Sequence, residues 1–392
     1  MQIPLSGPDL TSRELDYVNQ VLSTRYLSIG PMVQRFEEAI APVAGRKHAV
    51  AVSSGTAGLH LCMRAIDLQP GDRVVTSPFS FVSSANCALF EGGIPEFVDI
   101  APDTLNMDVA CTERKLEALR RAGTPAKAII AVQIFGQTCD MDALSELAAA
   151  YEVEIIEDAC ESLGAEYKGR PAGSFGLASV FAFYPNKQIT TGEGGMLVTD
   201  DERVDELFRS LRNQGRDNAG TWLNHVRLGY NYRLDELSAA LGLAQVERLD
   251  EILAKRQQVA DWYAERLATI AGVEAPAPVD DTSRMSWFVY VVRLSDGHRE
   301  SVIERLAERG VPARPYFKPI HLQPYYMQRF GMGPGMFPVC EAISQRTVAL
   351  PFYSNMRESQ VDYVCRQLRE VVYEQRHWDL NAEDAESAKE SF

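Results

Sequence analysis

The chain has 392 residues, of which 46% are hydrophobic and 24% are charged, a composition typical of a globular enzyme of about two domains. The net charge of −15 argues against partners with anionic surfaces, so we expect neither nucleic acid nor a membrane as a partner. The seven cysteines and six histidines show no metal-ligand spacing. We therefore expect no metal site and, because the N-terminus lacks a signal-peptide pattern, a cytoplasmic protein.

Helix and strand patterns alternate through the first half of the chain. Amphipathic spacing predicts helices over residues 10–23 and 32–44. Short apolar runs then predict strands, which are separated by helical patterns and lie at 49–52, 74–75, 94–100, 128–135, 153–161 and 178–183. This alternation predicts an α/β fold with a largely parallel sheet and helices on both of its faces.

A small polar turn, Ser-Gly-Thr-Ala at 54–57, separates the first predicted strand from a helix. Free backbone N–H groups and the helix dipole at such a junction bind anions, typically phosphate. The spacing matches neither a Walker loop nor the dinucleotide fingerprint. An ordinary strand-to-helix turn built from small residues is the alternative interpretation.

Phe81 and Asp158 lie near the ends of other predicted strands. Phe81 lies at a strand-to-helix junction, where it either joins the core or stacks on a flat ring. Asp158 and Glu161 lie at the end of the run 153–161, where a parallel strand delivers side chains to a ligand crevice. The alternative for Asp158 is an N-cap of the following turn. Two acids near one strand end favour a functional role.

Lys187 is the only basic residue between Phe181 and Gly195. It stands between the apolar run 178–183 and a Gly-Glu-Gly-Gly turn, where it can be shielded from water. A desolvated lysine suits Schiff-base formation and proton transfer. The alternative is a hairpin with a solvated lysine at its tip.

The second half of the chain has a different pattern. A long helical region is predicted at 234–269, and a Pro- and Ala-rich stretch at 275–278 marks a change of composition. Further predicted elements are a strand at 287–294, helices at 299–309 and 360–373, and an irregular aromatic segment at 314–321. We predict a large domain with an N-terminal arm at 1–245, a small domain at 246–380, and a disordered acidic tail at 381–392.

Five motifs together resemble one family. They are Ser-Gly-Thr-Ala at 54–57, Phe81, Glu-Asp-Ala-Cys-Glu at 157–161, Lys187 with its Gly-rich turn, and Gly-Tyr-Asn-Tyr-Arg at 229–233. In this order they resemble the DegT/DnrJ/EryC1/StrS family of pyridoxal-phosphate-dependent nucleotide-sugar aminotransferases over residues 5–369. The resemblance implies a fold-type I aminotransferase, with a mostly parallel seven-stranded sheet in the large domain and a smaller α+β C-terminal domain. It also implies a homodimer with active sites at the subunit interface.

The resemblance assigns roles to individual residues. It implies that Lys187 and Asp158 are catalytic, and that Glu161 lies near the ring hydroxyl of pyridoxal phosphate. It implies cofactor contacts from Lys187, Gly55, Thr56, Ala57, Phe81, Asp158, Glu161 and, from the partner subunit, Asn231. It implies substrate contacts from Tyr184, Arg314, Tyr316, His321 and Ser28. One departure is Ala182, where many relatives carry a serine that contacts the phosphate.

The resemblance also implies the reaction. An amino group moves from L-glutamate to a nucleotide-linked keto-sugar. The reaction usual in the family is amination at C4 of a 4-keto-6-deoxyhexose, and we expect it here. A 3-keto-sugar, a keto-cyclitol or an aminobenzoate precursor is an alternative acceptor, and a non-catalytic regulator is an alternative of another class. Lys187 argues against the dehydrating branch, which carries histidine there. In the segment 314–321, Arg314, Lys318 and His321 predict binding of the diphosphate, unless the segment is a surface loop held by its prolines.

Overall fold

The computed structural model describes residues 3–217, 224–278, 284–295 and 298–390, and for 376–390 it describes the backbone alone. The α-helices are α1 (Ser12–Leu22), α2 (Pro31–Val43), α3 (Gly55–Ala65), α4 (Ser83–Phe90), α5 (Val109–Arg121), α6 (Met141–Tyr151), α7 (Glu202–Arg212), α8 (Glu236–Val246), α9 (Leu249–Leu267), α10 (Arg299–Glu308), α11 (Pro324–Phe330), α12 (Pro338–Ser344) and α13 (Glu358–Glu390). The strands are β1 (His48–Val52), β2 (Arg73–Thr76), β3 (Ile94–Phe97), β4 (Ala126–Val132), β5 (Glu154–Asp158), β6 (Glu166–Tyr167), β7 (Arg170–Pro171), β8 (Ala178–Ala182), β9 (Gly195–Thr199), β10 (Val273–Glu274), β11 (Tyr290–Leu294), β12 (Arg314–Pro315) and β13 (Thr347–Leu350).

A seven-stranded sheet in the order β1-β9-β8-β5-β4-β2-β3 forms the centre of the large domain. Strand β9 pairs antiparallel with both of its neighbours, and the other pairs are parallel. The strands are buried almost along their whole length because helices cover both faces. This architecture confirms the predicted α/β class and the mostly parallel seven-stranded sheet.

Helix α3 packs unusually close to the sheet at Gly58. A Cβ atom added there would lie 2.6 Å from Cγ1 of Val180 on β8. Glycine therefore permits the close approach that fixes the first turn of α3 beside the end of β8. The two elements that carry the predicted phosphate turn and Lys187 are placed side by side by this contact.

The region predicted as one long helix, 234–269, is two helices, so that prediction is wrong in detail. Helix α8 ends at Val246 and α9 begins at Leu249. Between them Arg248 turns back to the N-terminal arm, where its Nη1 lies 2.8 Å from Glu14 Oε1 and its Nη2 lies 3.3 Å from Asp9 Oδ1. These nearly buried ion pairs fix the break, which hydrophobic periodicity does not reveal.

Helix α9 links two hydrophobic cores. Leu249, Ile252 and Leu253 pack in a core of the large domain. Val259, Tyr263 and Leu267 pack instead in the core of the smaller unit. There a four-stranded sheet, β10-β11-β13-β12, is antiparallel throughout. The predicted division near residue 245 stays a prediction, because α9 belongs to both cores.

The C-terminal tail differs from its expectation. Helix α13 continues to Glu390, through most of the stretch predicted to be disordered. Alanine, glutamate and lysine are strong helix formers, which explains a helical backbone there. Residues 391–392 lie outside the described residues. Within the described parts of the chain, no helix is long and apolar enough to cross a membrane, and no group of His, Cys, Asp and Glu side chains could hold a metal ion.

Candidate active site

A cavity of about 530 Å³ lies where β5 and β8 end, at the carboxyl edge of the large sheet. The segment 314–321 and Phe288 of the smaller unit close it from the other side. The cavity brings together eight of the residues that the sequence predicts for the site: Gly55, Thr56, Phe81, Asp158, Glu161, Tyr184, Lys187 and Tyr316.

Lys187 points into this cavity from the turn that follows β8. Its backbone N–H donates to the Tyr184 carbonyl over 2.9 Å, which closes the turn. Its side chain is only 13% exposed, and Nζ lies 3.5 Å from Glu161 Oε1. Nζ also lies 3.8 Å from the centroid of the Phe288 ring. The alternative of a solvated lysine at a hairpin tip is therefore wrong.

Asp158 is the last residue of β5, and it is 5% exposed. The Ser84 hydroxyl donates to its Oδ2 over 2.7 Å. The Cys160 N–H donates to Oδ1 over 3.3 Å, so Asp158 also satisfies the following turn, as the N-cap interpretation expects. Sequence reasoning missed Ser84. The available signal was a serine three residues after Phe81, in the first turn of α4.

Glu157 precedes Asp158, but its side chain points to the opposite face of the sheet, as strand geometry requires. Its carboxylate accepts hydrogen bonds from the N–H groups of Gly173 and Phe175 at 2.8 and 3.2 Å. The Ser179 hydroxyl donates to it over 3.0 Å. Glu157 therefore stabilises the loop before β8 and does not reach the cavity.

Glu161 is buried beside Lys187, with 7% exposure. Its Oε2 accepts the Phe135 N–H over 2.9 Å. Burial raises the pKa of the Glu161 carboxyl, and the Lys187 charge opposes that rise. A carboxyl group that contacts the lysine amine can share a proton with it.

The predicted anion-binding turn opens α3. Ser54 is the N-cap, and its Oγ accepts the Ala57 N–H over 3.1 Å. The N–H groups of Gly55 and Thr56 lie in the first turn, where a helix has no carbonyl partners for them. A Cβ at Gly55 would lie 2.8 Å from Ala182 Cβ, so glycine is required there. The Ser54 hydroxyl already caps the helix, and Ala57 is held by that cap.

Aromatic side chains form the rest of the wall. Phe81 is 61% exposed and lines the cavity, so the alternative of a core position is wrong. Tyr316 is partly buried, and burial, followed by the nearby Glu161 carboxyl, raises the pKa of its hydroxyl to about 12. Phe317 stacks on Phe135 with ring centroids 5.6 Å apart, which anchors the segment to the large domain.

Five predicted residues do not line the cavity, namely Ala57, whose N–H is held by the Ser54 cap, and four residues outside α3. Arg314 is exposed on β12, and its Nη1 donates to the Ala313 carbonyl over 2.9 Å. His321 is fully buried, and its Nε2 lies 3.0 Å from Glu341 Oε1. Because neither side chain reaches the cavity, we correct the placement of both. Ser28 and Asn231 are exposed and form isolated bridges with Asp235 and Asn213 elsewhere on the surface.

A second cleft of about 750 Å³ lies between α2 and α7. Arg209 and Arg212 line it, and both form ion pairs with Glu37. Arg212 also donates to the Ala51 carbonyl over 2.7 Å. Among the described residues, this lining and that of the cavity around Lys187 have no member in common. Arg209 and Arg212 serve structural pairs, and Arg233 Nη1 donates to Asn213 Oδ1 over 3.1 Å, so the cleft is not the candidate site.

Comparisons with known proteins agree with this arrangement. The family model of the DegT/DnrJ/EryC1/StrS aminotransferase family matches residues 8–369. The chain is 39% identical over 376 residues to a GDP-perosamine synthase of Caulobacter vibrioides, which covers 95% of this chain and 98% of that protein. The DesV structure from S. venezuelae shares 29% identity at a TM-score of 0.87, covering 95% of this chain and 98% of that one.

A third comparison concerns the cofactor of the family. A sugar aminotransferase of Streptococcus pneumoniae, Spr1654, solved in its PLP form, shares 26% identity at a TM-score of 0.88 and covers 95% of this chain and 99% of that one. The family is pyridoxal-phosphate dependent. The fold, the site and these matches define an aminotransferase of fold-type I. The chain belongs to the DegT/DnrJ/EryC1/StrS aminotransferase family.

Proposed function

We propose that this enzyme binds pyridoxal phosphate and moves the amino group of L-glutamate to a nucleotide-linked keto-sugar. The observation that carries the proposal is the convergence of Lys187, Asp158 and the N-terminus of α3 on one cavity. A lysine amine, a buried carboxylate and an anion-binding helix end are the three groups that this cofactor requires.

The residues present fit the cofactor. Gly55 and Gly195 let β8 and β9 pack closely against the first turn of α3, since a Cβ at Gly195 would lie 2.6 Å from the Ser54 carbonyl carbon. The first-turn N–H groups of α3 would hold the phosphate. Phe81, exposed on the cavity wall, would stack on the ring. Ala182 supplies no hydroxyl, so the N-terminus of α3 would carry more of the phosphate binding than in relatives with serine.

Bound pyridoxal phosphate supplies an electron sink for the charge left on the substrate carbon. Asp158 would hold a proton on the ring nitrogen, and the Ser84 hydroxyl orients its carboxylate. Lys187 Nζ would hold the cofactor, and its amine could take and return the proton of the substrate carbon. Glu161 contacts Nζ and so keeps the lysine amine in the cavity when it is not bound to the cofactor.

Relatives support the choice of acceptor. Proteins from Caulobacter vibrioides, Escherichia coli O157:H7 and Vibrio cholerae that resemble the chain at 39%, 33% and 32% identity are named GDP-perosamine synthase. We therefore favour amination at C4 of an NDP-4-keto-6-deoxyhexose. A structural neighbour at 26% identity is 3-amino-5-hydroxybenzoic acid synthase, which keeps an aminobenzoate precursor as the second candidate.

The test is a panel of acceptors incubated with L-glutamate and the purified enzyme. The panel contains nucleotide-linked 4-keto- and 3-keto-sugars, a keto-cyclitol and an aminobenzoate precursor, and mass spectrometry reads the products. We expect an amino product from the 4-keto-sugars. A product from another acceptor class alone would contradict the proposed substrate and leave the aminotransferase chemistry standing.

We also propose a homodimer whose two active sites are shared. Asn231 is exposed and outside the cavity of its own subunit, and the exposed Tyr26, Leu27 and Leu228 offer apolar surface for a second copy. Mixing Lys187→Ala with Asn231→Ala subunits tests this arrangement. We expect mixed dimers to regain one intact site and part of the activity. No recovery after proven subunit exchange would contradict sharing.

A further inference from the structure

A network of hydrogen-bonded side chains lies outside the active-site cavity and takes no part in the chemistry proposed above. His60 on α3 is 4% exposed, and its two ring nitrogens have different partners. Nε2 lies 2.7 Å from Glu91 Oε1, and Nδ1 lies 3.0 Å from the Tyr232 hydroxyl oxygen. The Tyr230 hydroxyl donates to the same Glu91 oxygen over 3.0 Å. We call these four residues the His60 network.

The protons of the His60 network have defined positions. Burial acts to raise the pKa of the Glu91 carboxyl, but hydrogen bonds from His60, Arg64 and Tyr230 lower it below its usual value. Burial also lowers the pKa of His60, so its ring is neutral near pH 7. Because a carboxylate can only accept, Nε2 carries the ring proton, and Nδ1 accepts the Tyr232 hydroxyl. Both tyrosine rings are thereby held beside α3.

The two tyrosines belong to the segment 229–233, which runs beside the end of α7. The N–H groups of Tyr230 and Tyr232 donate to carbonyl groups there, and Asn231 forms an antiparallel bridge with Asn213. The two tyrosine rings stack with centroids 5.0 Å apart, so they lie on the same side of the segment. Side chains alternate along an extended segment, which puts the exposed Asn231 on the opposite side.

We propose that His60 and Glu91 are positioning residues that hold Asn231 of one subunit at the cofactor phosphate of the other subunit. This inference rests on the proposed homodimer with shared active sites, and it adds the groups within one subunit that set the position of Asn231. The network holds the residue on each side of Asn231. Displacement of either tyrosine would therefore move the amide between them.

The competing interpretation is that the His60 network acts on the active site of its own subunit. The Tyr232 carbonyl accepts the Ser53 N–H over 2.8 Å, and Ser53 directly precedes the N-cap of α3. Both interpretations predict weaker binding of the cofactor when every subunit carries the same variant. They differ in which subunit has the weakened site, so mixed dimers separate them.

The test changes the network in one subunit and follows Lys187 of the other. Subunits of the double variant Lys187→Ala/Glu91→Ala are mixed with wild-type subunits, and mixed dimers are isolated with two affinity tags. Only the wild-type subunit then has Lys187 to label. Borohydride reduction at a series of pyridoxal phosphate concentrations gives the dissociation constant at that one site, without a measurement of activity.

We expect this dissociation constant to rise roughly tenfold above that of mixed dimers of wild type and Lys187→Ala, as for the loss of one hydrogen bond to a charged group. Asn231→Ala in place of Glu91→Ala should give a loss at least as large. Glu91→Gln keeps an acceptor of the same length and should recover most of the affinity. In the reverse mixture, Glu91→Ala subunits with Lys187→Ala subunits, the labelled site receives a correctly held Asn231 and should bind as wild type does.

Two further variants serve as controls. Glu96 matches Glu91 in burial, with side chains 17% and 13% exposed, and it pairs with Arg73 and Lys115. Glu96→Ala in the double variant should leave the dissociation constant unchanged. Tyr230→Phe keeps the ring and removes only the hydroxyl, so it carries the test if Glu91→Ala does not fold. We expect it to raise the dissociation constant roughly threefold, as for the loss of one ordinary hydrogen bond.

Three results would overturn the inference. They are an unchanged dissociation constant in the Glu91→Ala mixture while Asn231→Ala raises it, a loss in the reverse mixture alone, and an equal loss with Glu96→Ala. In the first case the shared site survives and only the role of the network is wrong. If Asn231→Ala itself has no effect in the mixture, the shared site is wrong and this inference falls with it, while labelling of Lys187 in the wild type tests cofactor binding separately.

Discussion

The two walls of the active-site cavity differ in how their residues are held. On the large-domain wall, Asp158 ends strand β5 and Lys187 lies in the turn after β8, and the alternation of side chains along β5 turns Asp158, and not Glu157, toward the cavity. On the small-domain wall, Tyr316 belongs to an irregular segment that is held by packing on Phe135. The first wall carries the chemistry and the second shapes the space, so substitutions in the two walls should have different effects.

The largest effect should come from Asp158→Asn. The neutral amide keeps the Ser84 contact but cannot hold the proton of the ring nitrogen, so the rate should fall on the order of 10²- to 10³-fold, as when one preorganised electrostatic partner is lost. Single-turnover rates with glutamate measure this loss. An activity within a few-fold of wild type would show that another acid faces the ring.

Glu157→Gln is the matched control on the same strand. Glu157 is fully buried and its carboxylate accepts from Gly173, Phe175 and Ser179. The substitution should lower the free energy of unfolding by about 1–3 kcal/mol, the cost of disturbing such buried bonds, with turnover close to wild type. Denaturant unfolding measures the first quantity. If Glu157→Gln is stable but loses most of its turnover, Glu157 would be the catalytic acid in place of Asp158.

Ser84→Ala should have a smaller effect on catalysis. Its hydroxyl donates to Asp158 Oδ2 and holds the carboxylate in place without contacting substrate. Loss of one hydrogen bond to a charged group should slow the half-reaction roughly tenfold. Ser84→Thr keeps the hydroxyl and should restore much of the rate. If the alanine and threonine variants are equally slow, the serine acts through packing.

Glu161 provides a test by pH. Burial raises the pKa of its carboxyl above the ordinary value of 4.5, so the folded state binds more protons than the unfolded state above that pH. Stability therefore falls as pH rises from 4.5 through the raised pKa. Glu161→Gln should remove this contribution, which thermal unfolding across that range measures. An unchanged pH profile would show that Glu161 does not titrate there.

Arg314→Ala should have the smallest effect. Arg314 is exposed, and its guanidinium contacts the Ala313 carbonyl outside the cavity. We expect KM for the nucleotide sugar to change by no more than about twofold, because surface substitutions of this kind have small effects. Steady-state kinetics of Arg314→Ala and wild type measure this KM. A selective rise in KM would show that the small-domain wall moves toward the substrate.

Sequence reasoning succeeded where a local pattern fixes a position. The strand-turn-helix pattern at Gly55 and the strand ends at Asp158 and Lys187 place side chains at one sheet edge, because parallel strands end together. It failed for His321, since nothing in its segment indicates that Glu341, twenty residues further on, pairs with it in the interior. Strand β13 was also missed, because four buried residues carry too short a signal.

The central claim is that Lys187 carries pyridoxal phosphate in the cavity at the sheet edge. Borohydride reduction of the purified, cofactor-loaded enzyme followed by peptide mapping tests it directly. We expect the pyridoxyl group on the peptide that contains Lys187, and no label in Lys187→Ala. A label on Lys47 or Lys168, which are both exposed and outside the cavity, would contradict the account.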